Sequence, residues 1–424
     1  MTAADAALDG ATARRQRALV AVVQLTGLSC WFSATAVAPG LRADLGLSAT
    51  WAVLLTSTVQ LGFVTGALAS AVLNLADRVS PPRLVAASAT VAAACTALLP
   101  LAVPAAGSGA GPVLLLRFLT GVALAGVYPV NMKIMASWST PAQRGRAFGV
   151  LIGALTLGSA VPQLIRGLED LSWRGVMTGA AVVTLVGAVV AAGTLRVGPN
   201  LVRSAPVLDP AYAVRMFRQR GPRLANLGYF GHMWELYALW TWLPTFVLAS
   251  QQAHGGSTGA VVNLTAFAAI GVAGAAGCLA GGVMSDRLGR APAAVTALVV
   301  SGTCCLLSPA FFGSRPDVLL AFLLVWGAAV IADSGVFTTA LSEVADHRLV
   351  GTALTAQTAV GFLLTAVTIH LVPVLAGATG WRWAFVVLAL GPAVGATAMA
   401  RFGPVHAHLR TARLSEELAG EEAT

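Results

Sequence analysis

Charge is scarce in this chain. Asp, Glu, Lys and Arg make up 10% of its 424 residues, 57% are hydrophobic, and the mean hydropathy is +0.79, whereas an ordinary soluble domain is roughly 25% charged. A surface this poor in charge does not stay dissolved, which excludes the soluble-enzyme class, and the apolar content excludes disorder. The five cysteines (Cys30, Cys95, Cys278, Cys304 and Cys305) stand inside apolar runs with no CxxC spacing, so they read as small hydrophobes and not as disulfides or zinc ligands. There is no G-x-x-x-x-G-K-[ST] loop for ATP, no G-x-S-x-G nucleophile and no H-E-x-x-H metal motif. The 26 basic residues form no patch with interleaved aromatics, so the net charge of +9 does not point to nucleic acid. No cleavable secretion signal is expected, because the apolar stretch after Arg14, Arg15 and Arg17 is too long for one.

What is abundant is apolar sequence in helix-length pieces. About 20 such residues cross a hydrocarbon core as a helix, and stretches of that length occur at 18–39, 51–73, 84–104, 112–134, 147–166, 175–195, 223–249, 261–283, 291–312, 317–340, 350–373 and 382–402, here spans 1 to 12. Spans 3 and 4 are separated by Pro100, Pro104 and the glycine-rich run from Gly107 to Pro112. The 45 glycines suit a transmembrane bundle, where small residues let helices approach closely. With the two termini on one side, 20 Lys and Arg fall in the connections of that side, 5 on the other and Arg117 within span 4. The positive-inside rule puts both termini in the cytoplasm of an inner-membrane protein.

The basic, proline-containing stretch 196–222, with Arg203 and Pro206, divides the chain into two sets of six spans. The expected divisions are a tail over 1–17, a bundle over 18–195, the linker 196–222, a bundle over 223–402 and a tail over 403–424. Asp77-Arg78 recurs as Asp286-Arg287 at an offset of 209, and Trp173-Arg174 recurs as Trp381-Arg382 at 208. Each pair stands at the same place in its half, the mark of a parallel duplication. The fold expected is all-α, with twelve transmembrane helices in two pseudo-symmetric six-helix bundles.

After span 8 the chain reads Gly281-Gly282-Val283-Met284-Ser285-Asp286-Arg287-Leu288-Gly289-Arg290. This resembles the G-x-x-x-D-R-x-G-R loop of the major facilitator superfamily. The first-half copy keeps Asp77, Arg78 and Arg83 but has Leu73 for the leading Gly and Ser80-Pro81-Pro82 for Gly-Arg. Arg117 to Gly121 in span 4 is similar to the family's R-x-x-x-G motif, and Gly149, Gly153, Gly158 and Pro162 are similar to its Gly/Pro-rich span 5. The resemblance implies a cytoplasmic latch made by Asp77, Arg78, Gly282, Asp286, Arg287 and Arg290. An Asp there can sit at a helix N-terminus, and arginines can bond C-terminal carbonyls. Plain positive-inside anchoring is the other reading of these charges.

Only two acids, Glu235 and Asp333, lie well inside spans, where an ionisable residue is by default functional. Glu235 has His232 three residues earlier, on one face of span 7. Burial favours the neutral form of a carboxyl and a neighbouring positive charge the ionised form, so Glu235, His232 and Asp333 are candidates for proton coupling. Each also has a structural reading, a polar side chain tying two helices together. Asp333 pairs with Arg117, or Arg117 binds an anionic substrate or balances Glu235. Tyr128 and Asn131 continue the face of Arg117, and Gln24 and Trp31 share a stripe in span 1. Such stripes usually face other protein. The family arrangement, in which spans 1, 4, 7 and 10 line a central cavity, makes these residues, with Trp234 and Trp326, candidate cavity walls.

The function expected is secondary transport of a small solute by alternating access, coupled to protons through Glu235. An uncoupled facilitator is the alternative, and an intramembrane enzyme or a channel a more distant one. The partners expected are a small-molecule substrate, protons and the bilayer, with no nucleic acid and no cofactor, for a protein working as a monomer.

Overall fold

A computed structural model describes residues 3–45, 49–102, 111–140, 143–168, 171–201, 209–256, 259–346 and 348–422. Pro104, the run from Gly107 to Ala110, Arg203 and Pro206 lie outside these residues. Among the described residues each of the twelve expected spans is largely helical, span 12 becoming so only from Val386. Among the described residues, eleven helices are long and apolar enough to cross a membrane. The twelfth is span 7, Arg220–Ala253, whose 34 residues are ample in length but whose hydropathy is lowered by Asn226, His232, Glu235 and its tryptophans. Span 7 packs against spans 10, 11 and 12, and its Asn226, His232 and Glu235 are buried there.

The expected tails and linker are less separate than the composition suggests. Helix begins at Ala3 and runs through to Gly27, and the last helix, Leu390–Glu422, continues span 12 well past the expected membrane boundary. Within the linker, Pro210–Arg215 forms a short helix, capped by the Asp209 carboxylate on Ala211 N–H, and span 7 starts at Arg220.

Several spans are interrupted. Span 1 passes through a 3-10 turn at Leu28–Cys30 and resumes as Ser33–Leu45; span 4 is Gly111–Leu124 followed by Tyr128–Ser137; span 10 is Pro316–Ile331 followed by Ser334–Val344. Span 8 carries a π-helical turn, Phe267–Ala273, between Gly259–Ala266 and Gly274–Leu288. A broken helix in a membrane needs other donors for its freed carbonyls, and at the break in span 1 Arg117 supplies them.

The duplication is visible in the packing. Spans 2 and 4 cross where Gly62 meets the Phe118 carbonyl and Gly121 meets that of Val59; spans 8 and 10 cross where Gly277 meets the Ala328 carbonyl and Gly327 meets that of Ala269. Any side chain at these glycines would overlap the opposing backbone. Between the bundles, span 5 (Arg144–Leu168) packs on span 8, and span 2 (Ala49–Val72) on span 11 (Val350–Thr379). Large apolar side chains such as Val72, Leu101, Val189 and Val374 face outward, as a lipid-facing surface requires and a water-facing one does not tolerate in such number.

Candidate functional site

The bundles enclose two vestibules on their seam. One, of about 360 Å³, runs inward from Asn74 and Asp77 on the face of the termini and is lined by spans 2, 4 and 5 on one side and 7, 10 and 11 on the other. The second, of about 450 Å³, lies toward the opposite face between Thr35, Thr56, Thr241, Trp242, Asn263 and Trp381. A septum of buried aromatic rings lies between them. Trp31, Phe32 and Phe63 come from the first bundle and Tyr237, Trp240 and Phe362 from the second, with ring centroids 4.8 Å apart for Phe63–Phe362, 5.1 Å for Tyr237–Phe362 and 5.6 Å for Trp31–Phe362. Beside it, Thr365 Oγ1 donates to Gln60 Oε1 across the seam at 2.6 Å.

At the inner end of the first vestibule, His232 stands between two groups of span 10. Its Nδ1 lies 2.9 Å from Asp333 Oδ1, both side chains being 2% exposed, and its Nε2 lies 2.8 Å from Ser334 Oγ. The Asp333 contact is one of ion-pair distance and not of hydrogen-bond alignment, since no donor is aligned on Oδ1. The interruption in span 10 creates this geometry: Asp333 precedes the first turn of Ser334–Val344, so that residues adjacent in sequence meet the two ring nitrogens. His232 and Ser334 line the vestibule. The order carboxylate, imidazole, hydroxyl can pass a proton along the chain, and is also the order found in hydrolytic triads.

The other mid-membrane acid turns away from this space. Glu235 accepts hydrogen bonds from Trp326 Nε1 at 2.6 Å, Ser301 Oγ at 2.9 Å and Cys305 Sγ at 3.2 Å, all from spans 9 and 10. It and Trp326 are buried within the second bundle. Trp234 donates to the Val387 carbonyl at 3.2 Å, toward span 12, and lines neither vestibule.

Arg117 does not pair with Asp333. Its guanidinium donates to the carbonyls of Trp31 at 2.6 Å, Cys30 at 3.2 Å and Leu55 at 3.3 Å and to Ser33 Oγ at 3.3 Å, entirely within the first bundle. It lines neither vestibule, because the broken backbone of span 1 takes up its donors. Asn131 Nδ2 donates to Gln24 Oε1 at 2.9 Å in a buried bridge between spans 4 and 1, away from the vestibules. Tyr128 lines the first vestibule and Trp31 belongs to the septum.

The loop residues divide by half. Asp286 lies across the seam against the N-terminus of span 5, so close that a Cβ on Gly145 would stand 2.5 Å from its Oδ1. Arg290 holds it there, Nη1 donating to Asp286 Oδ1 at 3.2 Å and Ser285 Oγ at 2.8 Å, while Nε donates to Glu343 at 3.3 Å. A Cβ on Gly282 would stand 3.6 Å from the Gly145 carbonyl, an ordinary contact, so the tight approach here is at Gly145 and not at Gly282. Asp77 instead pairs with Lys133 of its own bundle, and Arg78 and Arg287 are exposed. Sequence reasoning missed Phe63, Phe362 and Ser334. Only Ser334, next to Asp333, left a local signal. Among the described residues no three His, Cys, Asp or Glu gather as metal ligands.

The family model of the Major Facilitator Superfamily matches residues 19–369. An uncharacterized MFS-type transporter of Mycobacterium tuberculosis is 27% identical over 267 residues, 59% of this chain, and the match spans just 55% of that relative's length. A probable sulfoacetate transporter of Cupriavidus necator is 24% identical over 322 residues, 68% of this chain and 69% of that one. Among solved structures, the proton:xylose symporter XylE, bound to 6-bromo-6-deoxy-D-glucose, superposes with a TM-score of 0.69 at 14% identity, covering 92% of this chain and 96% of that one. FucP in its outward conformation gives 0.66 at 14% identity, covering 92% and 99%. Identity this low bears on the fold alone. Because the family match reaches from span 1 into span 11, the chain belongs to the Major Facilitator Superfamily.

Proposed function

We propose that the protein is a secondary transporter that moves a small solute across the inner membrane by alternating access, with both termini in the cytoplasm and a proton carried by the His232–Asp333 pair. The observation that carries this reading is the buried His232, which faces a vestibule while touching a carboxylate and a hydroxyl. Vestibules on the two sides of an aromatic septum support alternating access: rocking the bundles about the seam would part the rings and open one side as the other closes. One chain encloses the path, so a monomer suffices. That the structural neighbour is a proton:xylose symporter and the Cupriavidus relative a probable sulfoacetate transporter is consistent with a proton-driven carrier of small solutes. Coupling through Glu235 has less support than its place mid-span suggested, because three donors of its own bundle satisfy it and it faces neither vestibule.

A thermal-shift screen of purified protein against small metabolites supplies the solute, since a ligand of the native state raises apparent stability. In vesicles carrying a pH gradient the parent should then accumulate that solute uphill. Asp333→Asn and His232→Gln should lose accumulation yet still exchange solute across the membrane. Uphill accumulation by Asp333→Asn equal to the parent would remove the pair from the coupling step. Equilibration without accumulation by the parent would favour the uncoupled facilitator.

A further inference from the structure

We infer that the solute is a small organic monoanion, and that its binding draws a second proton onto the His232–Asp333 pair. The inference rests on the proposed transport for its purpose and on the first vestibule for its chemistry. The vestibule's inner wall is aromatic, built from Phe63, Tyr128, Tyr237 and Phe362, which suits an organic body of benzene-ring size in about 360 Å³.

A charged solute needs a partner of opposite sign at this depth. Among the described lining residues, His232 is the one side chain able to become cationic; Asp77, at the mouth, is bound to Lys133. Arg117 is committed to four oxygens of spans 1 and 2. The other titratable groups around His232 are Asp333 of span 10, Tyr229 and Tyr237 of its own span, Tyr128 of span 4 and Cys278 of span 8. Glu235, three residues further along span 7, turns into the second bundle, where Ser301, Cys305 and Trp326 satisfy it. None of these can replace the imidazole as a cation.

The proton count follows. With one proton shared between them, His232 and Asp333 are neutral as a pair, and an anion beside them would leave an uncompensated charge in the protein interior. A second proton, taken from solvent, makes an imidazolium beside a neutral carboxyl. Nδ1–H then lies beside Asp333 Oδ1, 2.9 Å away, Nε2–H donates to Ser334 Oγ, and the Ser334 hydroxyl hydrogen turns to the anion. The site with its anion is neutral again. Ser334 opens the 11-residue helix Ser334–Val344, so its N-terminal partial charge adds to the same attraction.

Titration calorimetry on the detergent-purified full chain, in buffers of different ionisation enthalpy, tests this with benzenesulfonate, benzoate and methanesulfonate as anions and benzenesulfonamide as the neutral counterpart. Benzenesulfonate stays ionised throughout, so proton uptake on its binding reports the protein. The expected results are uptake of about one proton, affinity falling by up to about tenfold per unit rise in pH, and binding of the sulfonamide weaker by about tenfold or more. Ser334→Ala should keep the uptake while weakening binding several-fold; His232→Gln should lose both. Equal binding of the sulfonamide, anion binding without proton uptake, uptake retained in His232→Gln, or no binding by any of the three anions overturns the inference. If binding and uptake appear as expected but no solute crosses vesicle membranes, the inference stands and the transport reading fails.

Discussion

Three charged side chains deep in the membrane found three different solutions. Arg117 is neutralised by no acid: the broken turn of span 1 exposes carbonyls that have no helical donor, and a guanidinium fork meets several of them at once. Asp333 found an imidazole, and Glu235 found three donors. The Glu235 site makes a direct prediction. In Glu235→Gln the carbonyl can still accept from Trp326 and Cys305, and Ser301 can turn its hydrogen to the Leu298 carbonyl, 3.3 Å away, and accept from the new amide. Thermal unfolding should register a loss of only about 1 kcal/mol, with uphill transport retained. Glu235→Leu strands the Trp326 and Ser301 donors and should cost about 1–3 kcal/mol for each group left unpaired. Abolished accumulation in a stable Glu235→Gln protein would return Glu235 to the coupling role.

At the scale of elements, the interruptions of spans 1, 4 and 10 bear on the path. Each lies where a side chain had to leave ordinary helical spacing: Arg117 fills the first, Tyr128 opens the helix after the second, and Asp333 and Ser334 straddle the third. The loop after span 8 shows how a repeat can diverge. Asp286 spans the seam to the N-terminus of span 5, where the helix dipole and free N–H groups favour a carboxylate, whereas Asp77 is tied to Lys133 inside its own bundle. Asp286→Asn should therefore slow solute exchange in vesicles several-fold, and Gly145→Ala, whose methyl would collide with that carboxylate, should do likewise. Asp77→Asn should have a smaller effect, with expression of all three near normal. Equal effects of Asp77→Asn and Asp286→Asn would mean that the cross-seam contact does not govern the rate.

For the whole molecule the decisive feature is the seam, with its two vestibules and the septum between them. Its orientation can be read chemically because all five native cysteines are buried. Added cysteines at Thr245, in the vestibule away from the termini, and at Gly255, in the loop beyond it, should react with a membrane-impermeant maleimide on intact cells. One at Ser70, in the vestibule on the terminal side, should react only after permeabilisation. Reaction of Ser70→Cys on intact, solute-free cells would reverse the orientation argued from the basic asymmetry. Ser108 and Ser204, natural loop positions for such labels, lie outside the described residues, and the vestibule sites additionally report which side of the septum is reached.

Residue order alone was enough for the class, the number of spans, the duplication and the two acids within spans, because hydropathy, charge asymmetry and repeats are local properties that survive without knowledge of any contact. The loop that carries Asp286 was legible too, since Gly281 to Arg290 are contiguous, but its contact with Gly145 was not. Partnership was not legible. His232 and Asp333 are separated by 101 positions, Phe63 and Phe362 by 299, and nothing near Arg117 says that it bonds to backbone carbonyls and not to an acid. Helical spacing puts His232 and Glu235 roughly on one side of span 7. The small angle between them sends one toward the vestibule and the other into the bundle, and only the packing of spans 9 and 10 against that helix decides which goes where.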